Sequence, residues 1–552
     1  MLPPCHPKHF FNGLLVEMTR NEEERVERPR NAAVEVIYVL FVLGLLLASG
    51  TTTFFPDAIP AARASHAEAN TPPAPLPSLD PGELVAFPAE FRGWFGAHYG
   101  FQSTYRRLHA RLWVEALGTS PDDVFVVSPS GWLFTTTQRT LDDLRGVHPI
   151  DEGSLEDWRL TLEARRDWLA SRGIEYAFIV PATKNFVYPE LLPPGYEPGE
   201  TSRRNQFLEY MHEHSDVHII DLLPSMLDAK QDDEPGDHAY FPLGTHWTTR
   251  GAYHGYVAIL DELRAAFPRL EPWPTSDLRT IPEEKDDNNA GDLFARDFLT
   301  QSELRVVPRP KRPSKLIRGK LYTVGNGIRL WRQADATLPR AVLVHDSFGT
   351  AIIPFLAQHF SELHLVLSDF FPSSVIEREQ PRLVMELYVD RFTSRVEPTL
   401  QTVFDAEEIQ RRFAASNQVL MAGPRAGEHP HVTGYQGSVV SAGAGGVPVL
   451  HLESRAQGIL LDEVAAVERG RVAVLRIVFD APEQTRADVF YDNLNPPGYS
   501  FQRSEGFRVE QGRNELYIPL SPPALSGRAL FRPGLTSGNY AIHAIEVRAI
   551  DR

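Results

Sequence analysis

An amphipathic helix that runs directly into a short apolar segment limits the fold of this chain more than any other feature. Apolar residues recur at helical spacing over 155–172, and after Gly173 an uninterrupted apolar run follows at 176–180. A helix followed at once by a buried strand is the repeating step of a parallel sheet with helical crossovers. Residues 217–222 and 363–367 have the same strand-like composition. The pattern predicts an α/β domain with a parallel sheet of about five strands flanked by helices.

A further predicted strand ends in a pair of polar residues. Residues 341–344 are apolar, Asp346 and Ser347 follow shortly, and 351–360 is apolar at helical spacing. Open α/β proteins build their sites at the carboxyl ends of the strands, so we expect the Ser347 hydroxyl at that edge. A serine before a helix is more often an N-cap, and Asp346 is expected to cap the same helix. Ser347 is therefore a candidate nucleophile that needs a partner.

Residues 244–248, Gly-Thr-His-Trp-Thr, supply a candidate partner upstream of the serine. A serine hydroxyl is a weak nucleophile until an adjacent base takes its proton, and histidine is the usual base. Taken alone, His246 would more often be a partly buried histidine bonded to a carbonyl. Its combination with the later Asp346-Ser347 pair makes His246 the candidate general base.

Other short motifs accompany this pair in a fixed order along the chain. They are His98-Tyr-Gly-Phe101, Ser130-Gly-Trp-Leu-Phe134, Pro181-Ala-Thr-Lys184 with Tyr188-Pro189, Gly291-Asp-Leu293 and the closing segment 381–391. Together they resemble the alginate O-acetylation proteins, which are SGNH-hydrolase-like, circularly permuted O-acetyltransferases of bacterial polysaccharides. The resemblance covers roughly 87–393. It implies an SGNH-like fold, a Ser347 nucleophile with a His246 base, an exported polysaccharide as substrate, and a membrane-bound acyltransferase that supplies the acetyl groups.

One position departs from the family pattern. The family has an aspartate two residues before the histidine, and this chain has Gly244. In the Ser-His-Asp template that carboxylate orients the imidazole, and its loss costs about 10⁴-fold in turnover. Asp237, Asp346 or a backbone carbonyl are candidate replacements, and the sequence does not choose among them. Gly244 equally favours a catalytically impaired, glycan-binding scaffold, and a simple carbohydrate acetyl-esterase is a third hypothesis.

Composition excludes several other classes of protein. The 552-residue chain has a formal net charge of −17, which argues against binding to nucleic-acid phosphates. Its single cysteine, Cys5, permits no intrachain disulfide and no cysteine-based metal site. The sequence contains no His-Glu-x-x-His pattern, so no metal and no cofactor are expected.

The N-terminal region predicts a location. Residues 36–55 carry no charge, and four arginines lie between 20 and 30. About 20 apolar residues span a bilayer, and flanking basic residues stay in the cytoplasm. We therefore expect a cytoplasmic tail at 1–32, a transmembrane signal-anchor at 33–55 and a Pro/Ala-rich linker at 56–86. The protein would then be a single-pass protein of the bacterial inner membrane with its bulk in the periplasm. A signal peptide cleaved near Ala64 is the alternative.

The remaining chain divides where its composition changes. The SGNH-like acyltransferase domain is predicted at 87–415, a Gly-rich linker at 416–447 and a C-terminal β-sandwich at 448–552. The last region alternates apolar and polar residues between Gly, Pro and Asn turns, as β-sandwiches do. It resembles jelly-roll modules found beside bacterial glycan enzymes, which implies a possible carbohydrate-binding module. Its aromatic residues, among them Tyr499 and Tyr517, are candidates for stacking on sugars but are more often core residues.

Overall fold

The structure is a computed structural model. It describes residues 32–55, 76–77, 87–282, 289–291, 293, 295, 297–309, 313–318, 329–368, 371–392, 406–423, 432–443, 446–454, 457–461, 467–468, 470–492, 499–520 and 529–551. The chain divides into two compact units, residues 1–112 and 113–552.

The first unit is helical in its described residues. It contains α1 (Ala32–Phe54), α2 (Phe87–His98) and α3 (Gln102–Arg111). In the part of the chain that the structure describes, no helix is long and apolar enough to cross a membrane. The transmembrane helix predicted at 33–55 is therefore not found. The last turns of α1 are polar and bonded within the unit: Ser49 Oγ lies 2.7 Å from Tyr105 Oη, and Thr53 Oγ1 accepts from the Gly100 N–H at 3.0 Å.

The second unit begins with an α/β region. Its helices are α4 (Thr140–Leu144), α5 (Glu152–Ala170), α6 (Lys184–Val187), α7 (Arg203–His214), α8 (Leu223–Gln231), α9 (Thr249–Leu263), α10 (Gly349–Leu356) and α11 (Ser373–Glu379). Its strands are β1 (Phe125–Val127), β2 (Leu133–Thr135), β3 (Glu175–Val180), β4 (Ile219–Asp221), β5 (Leu278–Pro282), β6 (Leu304–Pro308), β7 (Lys315–Arg318), β8 (Arg329–Arg332), β9 (Arg340–His345), β10 (Glu362–Leu367) and β11 (Leu383–Leu387).

Seven of these strands form the central sheet, in the order β4-β3-β11-β9-β10-β8-β7. The five strands from β4 to β10 pair in parallel, and β8 and β7 extend the sheet antiparallel. The prediction of a parallel sheet with helical crossovers is confirmed, and its size is corrected from about five strands to seven. β11 lies within the closing motif at 381–391 and was not predicted as a strand, and arginines at both ends of β8 conceal its strand character.

Helices cover both faces of this sheet. Side chains alternate along each parallel strand, so that Ile179 and Leu343 enter one hydrophobic cluster while Phe178 and Val344 enter another. The first cluster includes residues of α9 and α10, and the second includes residues of α5 and α7. Because the described central strands are buried on both faces, we expect a site of this domain at their carboxyl ends.

The remaining described residues form α12 (Ala406–Ala415) and two antiparallel sheets. The strands are β12 (Val419–Gly423), β13 (Val432–Tyr435), β14 (Val439–Ala442), β15 (Pro448–Leu452), β16 (Gly458–Leu461), β17 (Arg471–Ala481), β18 (Thr485–Asp492), β19 (Tyr499–Val509), β20 (Gly512–Leu520), β21 (Ala529–Arg532) and β22 (Gly538–Asp551). One sheet has the order β14-β15-β22-β17-β20 with β12 on β22, and the other has the order β13-β16-β21-β18-β19. Buried residues of both sheets share one hydrophobic cluster.

Two of the aromatic residues considered for sugar stacking make contacts within this region. The ring of Tyr499 meets the ring of Tyr435 edge to face at 5.4 Å. The ring of Tyr517 meets Phe413 of α12 at 5.3 Å, and its hydroxyl donates to Glu515 at 2.9 Å. In these contacts Tyr499 and Tyr517 pack against other side chains of this region, as core aromatic residues do.

Candidate active site

The turn after β9 presents Ser347 to solvent. β9 is buried from Ala341 to His345, Ser347 is exposed, and α10 begins two residues later at Gly349. Asp346 holds the turn in shape: one carboxylate oxygen accepts from the Phe348 N–H at 2.8 Å and the other from the Val389 N–H at 2.9 Å. Burial raises the pKa of the Asp346 carboxyl, although both amides oppose the shift. The Asp346 side chain thus joins the ends of two adjacent strands, β9 and β11.

A close approach between β9 and α10 requires the glycine at 349. A Cβ at Gly349 would lie 2.6 Å from side-chain atoms of His345, which is closer than van der Waals contact allows. His345 is itself fixed, because its Nδ1 lies 2.6 Å from the Asp346 carbonyl oxygen and its Nε2 accepts from Arg329 at 3.0 Å. Burial lowers the pKa of His345 to about 4. This histidine is therefore a neutral support beneath the serine turn.

His246 lies on residues 240–248, which we call the histidine loop. The loop is closed by hydrogen bonds from the Phe241 N–H to the His246 carbonyl at 3.2 Å and from the Thr248 N–H to Ala239 at 2.9 Å. Thr248 is the N-cap of α9. The buried Trp247 donates its indole N–H to the Phe348 carbonyl at 3.0 Å. The loop is therefore bonded directly to the serine turn.

The two predicted site residues meet across this contact. His246 Nε2 lies 2.8 Å from Ser347 Oγ, which is hydrogen-bonding distance. The imidazole also packs on the buried ring of Phe348, with 4.9 Å between ring centroids. The structure thus brings together side chains 101 positions apart in the sequence.

The other imidazole nitrogen is near a hydroxyl that the sequence analysis did not consider. Thr245 Oγ1 lies 3.3 Å from His246 Nδ1. Among the described contacts, neither of the two carboxylates considered as replacements for the missing aspartate is hydrogen-bonded to the imidazole. Asp237 forms an ion pair with Arg250, 3.3 Å from its Nε, and both carboxylate oxygens of Asp346 accept backbone N–H groups. The sequence does not predict the contact between Thr245 and His246, because adjacent residues on an irregular loop have no fixed relative orientation.

Lys184 contacts the histidine loop at the position of the family departure. Its ammonium group donates to the carbonyl oxygens of Phe241 at 2.9 Å, Pro242 at 2.9 Å and Gly244 at 2.6 Å. The residue is only 4% exposed. The motif that contains Lys184 gave it no catalytic role. The structure shows that it binds three carbonyl oxygens of the histidine loop.

A buried carboxylate, Asp390, supports the segment that carries Lys184. Asp390 follows β11, and its Oδ2 accepts from the Thr183 N–H at 2.8 Å and the Thr183 hydroxyl at 3.2 Å. Arg204 Nε lies 3.8 Å from Asp390 Oδ2. Burial raises the pKa of the Asp390 carboxyl to about 6. Asp390 lies in the closing motif at 381–391, whose sequence indicates no role for it. The ends of β3, β9 and β11 are thus linked by side-chain-to-backbone bonds beneath the site.

The fold and site define a class of protein: an α/β domain with a Ser–His pair at the carboxyl edge of a parallel sheet. Residues 125–360 match the family model described as "SGNH hydrolase-like domain, acetyltransferase AlgX". The match confirms, over this part of the chain, the family resemblance that the motifs predicted. The search of curated proteins found no match.

Solved structures of several bacterial proteins are similar to this chain. Bacillus cereus PatB1 with a sulfonyl adduct has 14% sequence identity and a TM-score of 0.37, over 51% of this chain and 100% of that one. The O-acetyltransferase domain of Pseudomonas putida AlgJ has 17% identity and a TM-score of 0.35, over 52% and 97%. Pseudomonas aeruginosa AlgX has 16% identity and a TM-score of 0.36, over 77% and 94%.

Proposed function

We propose that this protein is an O-acyltransferase that moves acetyl groups onto an exported polysaccharide through Ser347 and His246. The observation that supports the proposal most directly is the 2.8 Å contact between His246 Nε2 and Ser347 Oγ. Ser347 is exposed, so a bulky acceptor such as a polysaccharide chain can approach it. The match of residues 125–360 to an acetyltransferase family supports the same activity.

The chemistry follows from the two side chains. His246 Nε2 takes the Ser347 proton as Oγ attacks the acetyl carbonyl carbon, and the protonated imidazole then gives that proton to the departing group of the donor. The acetyl ester on Ser347 is next attacked by a sugar hydroxyl, whose proton passes to His246 Nε2. The sugar leaves as its acetate ester, and Ser347 recovers its proton. The Ser347 N–H at the start of α10 stabilises the oxyanion in both halves.

The direct test offers an activated acetyl ester to the protein with and without oligosaccharide acceptors. An acetylated oligosaccharide would establish transfer, because water and sugar compete for the same acetyl-enzyme. Release of acetate alone, unchanged by every acceptor, would establish the carbohydrate acetyl-esterase considered above. Absence of an acetyl-enzyme with any donor, together with retained glycan binding, would favour the impaired scaffold that Gly244 suggests.

The location is part of the proposal and gives the first prediction. An uncharged run after several arginines is also the composition of an export signal, whether or not it is later removed. A reporter that is active only outside the cytoplasm, fused after Gly100, should therefore be active in intact bacteria. The control is the same fusion with residues 36–55 deleted, which should be inactive. Activity of a cytoplasm-only reporter at Gly100 would contradict the periplasmic location, the exported substrate and the membrane-bound acetyl donor together.

A second prediction concerns Gly244. The Gly244→Asp variant should change turnover by less than about tenfold, because an imidazole N–H has one strong acceptor at a time and Thr245 Oγ1 is already within reach of Nδ1. Gly244 does not belong to the described glycines with positive φ, so a Cβ there causes no backbone strain of that kind. Turnover with the acetyl ester and thermal unfolding should be measured together. A large rise, towards the roughly 10⁴-fold that an orienting aspartate supplies, would show that His246 lacks orientation in this chain.

A further inference from the structure

We infer that Lys184 is a positioning residue for the reaction, which acts by holding the histidine loop in the shape that aims His246 at Ser347. The inference rests on the proposed Ser–His function and extends it to a residue that touches neither reacting side chain in the described contacts. Three carbonyl oxygens of one loop converge on the ammonium group, at 2.9, 2.9 and 2.6 Å. An ammonium group has three N–H donors, so the three carbonyls can use all of them.

The geometry explains why the loop needs such a contact. Residues 241–246 form neither helix nor strand, and carbonyls of Phe241, Pro242 and Gly244 turn towards one point. Carbonyl dipoles that converge repel one another, and a cation at their focus removes that repulsion. Gly244 is two residues before His246, so a shift of its carbonyl moves the imidazole. Each bond to a charged donor is about twice as strong as a neutral one.

The burial of Lys184 indicates that its position is fixed. The side chain is 4% exposed, and its ammonium lies 5.4 Å from the ring centroid of Trp132 and 5.1 Å from that of Phe134. Burying a lysine is costly unless the charge is bonded, and the carbonyls and aromatic faces provide that bonding. The backbone of Lys184 is anchored in turn, because Asp390 accepts from the N–H and the hydroxyl of Thr183.

The experiment compares Lys184→Met, Lys184→Gln and a matched control, Lys230→Met, in the full chain. Lys230 also donates to a backbone carbonyl, that of Val187 at 2.7 Å, and its other described partners, Glu190 and Tyr188, lie outside the histidine loop. With an activated acetyl ester, Lys184→Met should lower kcat by about 10²-fold with KM within about twofold, the cost of misplacing a reacting group by about 1 Å. Lys184→Gln keeps a donor for one or two carbonyls, so its kcat should lie between those of Lys184→Met and wild type. Lys230→Met should stay within about twofold of wild type.

Two further readouts separate positioning from stability and from the proposed function. An aryl sulfonyl fluoride should label Ser347 more slowly in Lys184→Met by the same factor as kcat falls, while thermal unfolding stays cooperative. The imidazole ¹⁵N signals of His246 should split or broaden in Lys184→Met and stay unchanged in Lys230→Met. If wild type has no acetyl-ester turnover, the proposed function fails, and the labelling and ¹⁵N signals still decide the role of Lys184.

Unchanged kcat, labelling and ¹⁵N signals in Lys184→Met would overturn the inference. So would unfolding of both Lys184 variants, since that result would show a purely structural lysine.

Discussion

Replacement of Ser347 by alanine is expected to abolish acetyl-enzyme formation and to reduce turnover by roughly 10⁶-fold, the effect of removing the nucleophile from a serine hydrolase. The fold should be intact, because the Ser347 side chain is exposed and the turn is held by the backbone contacts of Asp346. Intact-protein mass spectrometry after incubation with an activated acetyl ester should show one added acetyl group in wild type and none in Ser347→Ala.

The chain offers a matched control at the same edge of the sheet. Ser368 follows β10, the strand next to β9, and it is 4% exposed. Ser368→Ala should keep both the acetyl adduct and the turnover of wild type. An adduct that forms on another residue, or turnover that survives Ser347→Ala undiminished, would reject Ser347 as the nucleophile.

Replacement of His246 by alanine is expected to have the second largest effect, about 10⁴-fold or more on turnover, since a serine hydroxyl without a base is a very weak nucleophile. The substitution removes the 2.8 Å contact to Ser347 and the packing on Phe348. Both are contacts within the protein, so kcat should fall much more than KM changes. Stopped-flow measurement of acetyl-enzyme formation should show the loss in the acylation step, and a small external imidazole should restore part of it.

The control for His246 is another half-buried histidine on the adjacent helix. His254 lies on α9, and burial lowers its pKa. His254→Ala should leave turnover within about twofold of wild type, as expected for a residue outside the site. Equal losses in the two variants would point to a general effect of histidine removal on the fold. Acylation at the wild-type rate in His246→Ala would require a different base.

The sequence was sufficient for the parts of the fold that depend on local pattern. The helix predicted at 155–172 forms as α5 (Glu152–Ala170), and the strand predicted at 176–180 forms as β3 (Glu175–Val180). Both are read from periodicity and from the glycine between them, which are properties of neighbouring residues. β7 and β8 were not predicted because short strands with charged residues have no distinctive pattern, and the pairing of β8 with β10 depends on residues far away in sequence.

The same division applies to the site. Ser347 after a buried strand and His246 before a helix follow from motifs and from the rule that α/β sites lie at strand ends. The sequence does not predict which groups hold His246 in place, because the histidine loop has no regular structure. Thr245 Oγ1 lies 3.3 Å from His246 Nδ1, and Lys184 contacts three loop carbonyls at 2.6 to 2.9 Å. No spacing in the sequence predicts these contacts.

By itself the sequence determined the α/β class, the resemblance to the acetyltransferase family and the two candidate site residues, Ser347 and His246. These depend on apolar periodicity and on short motifs, which are local in the chain. Only the tertiary structure decided that Asp346 joins two strand ends, that Lys184 binds three carbonyls of the histidine loop, and that Nε2 of His246 meets Oγ of Ser347. The Asp346–Val389, Lys184–Gly244 and His246–Ser347 contacts each join segments far apart in sequence. They meet because parallel pairing brings the carboxyl ends of the strands to one edge of the sheet.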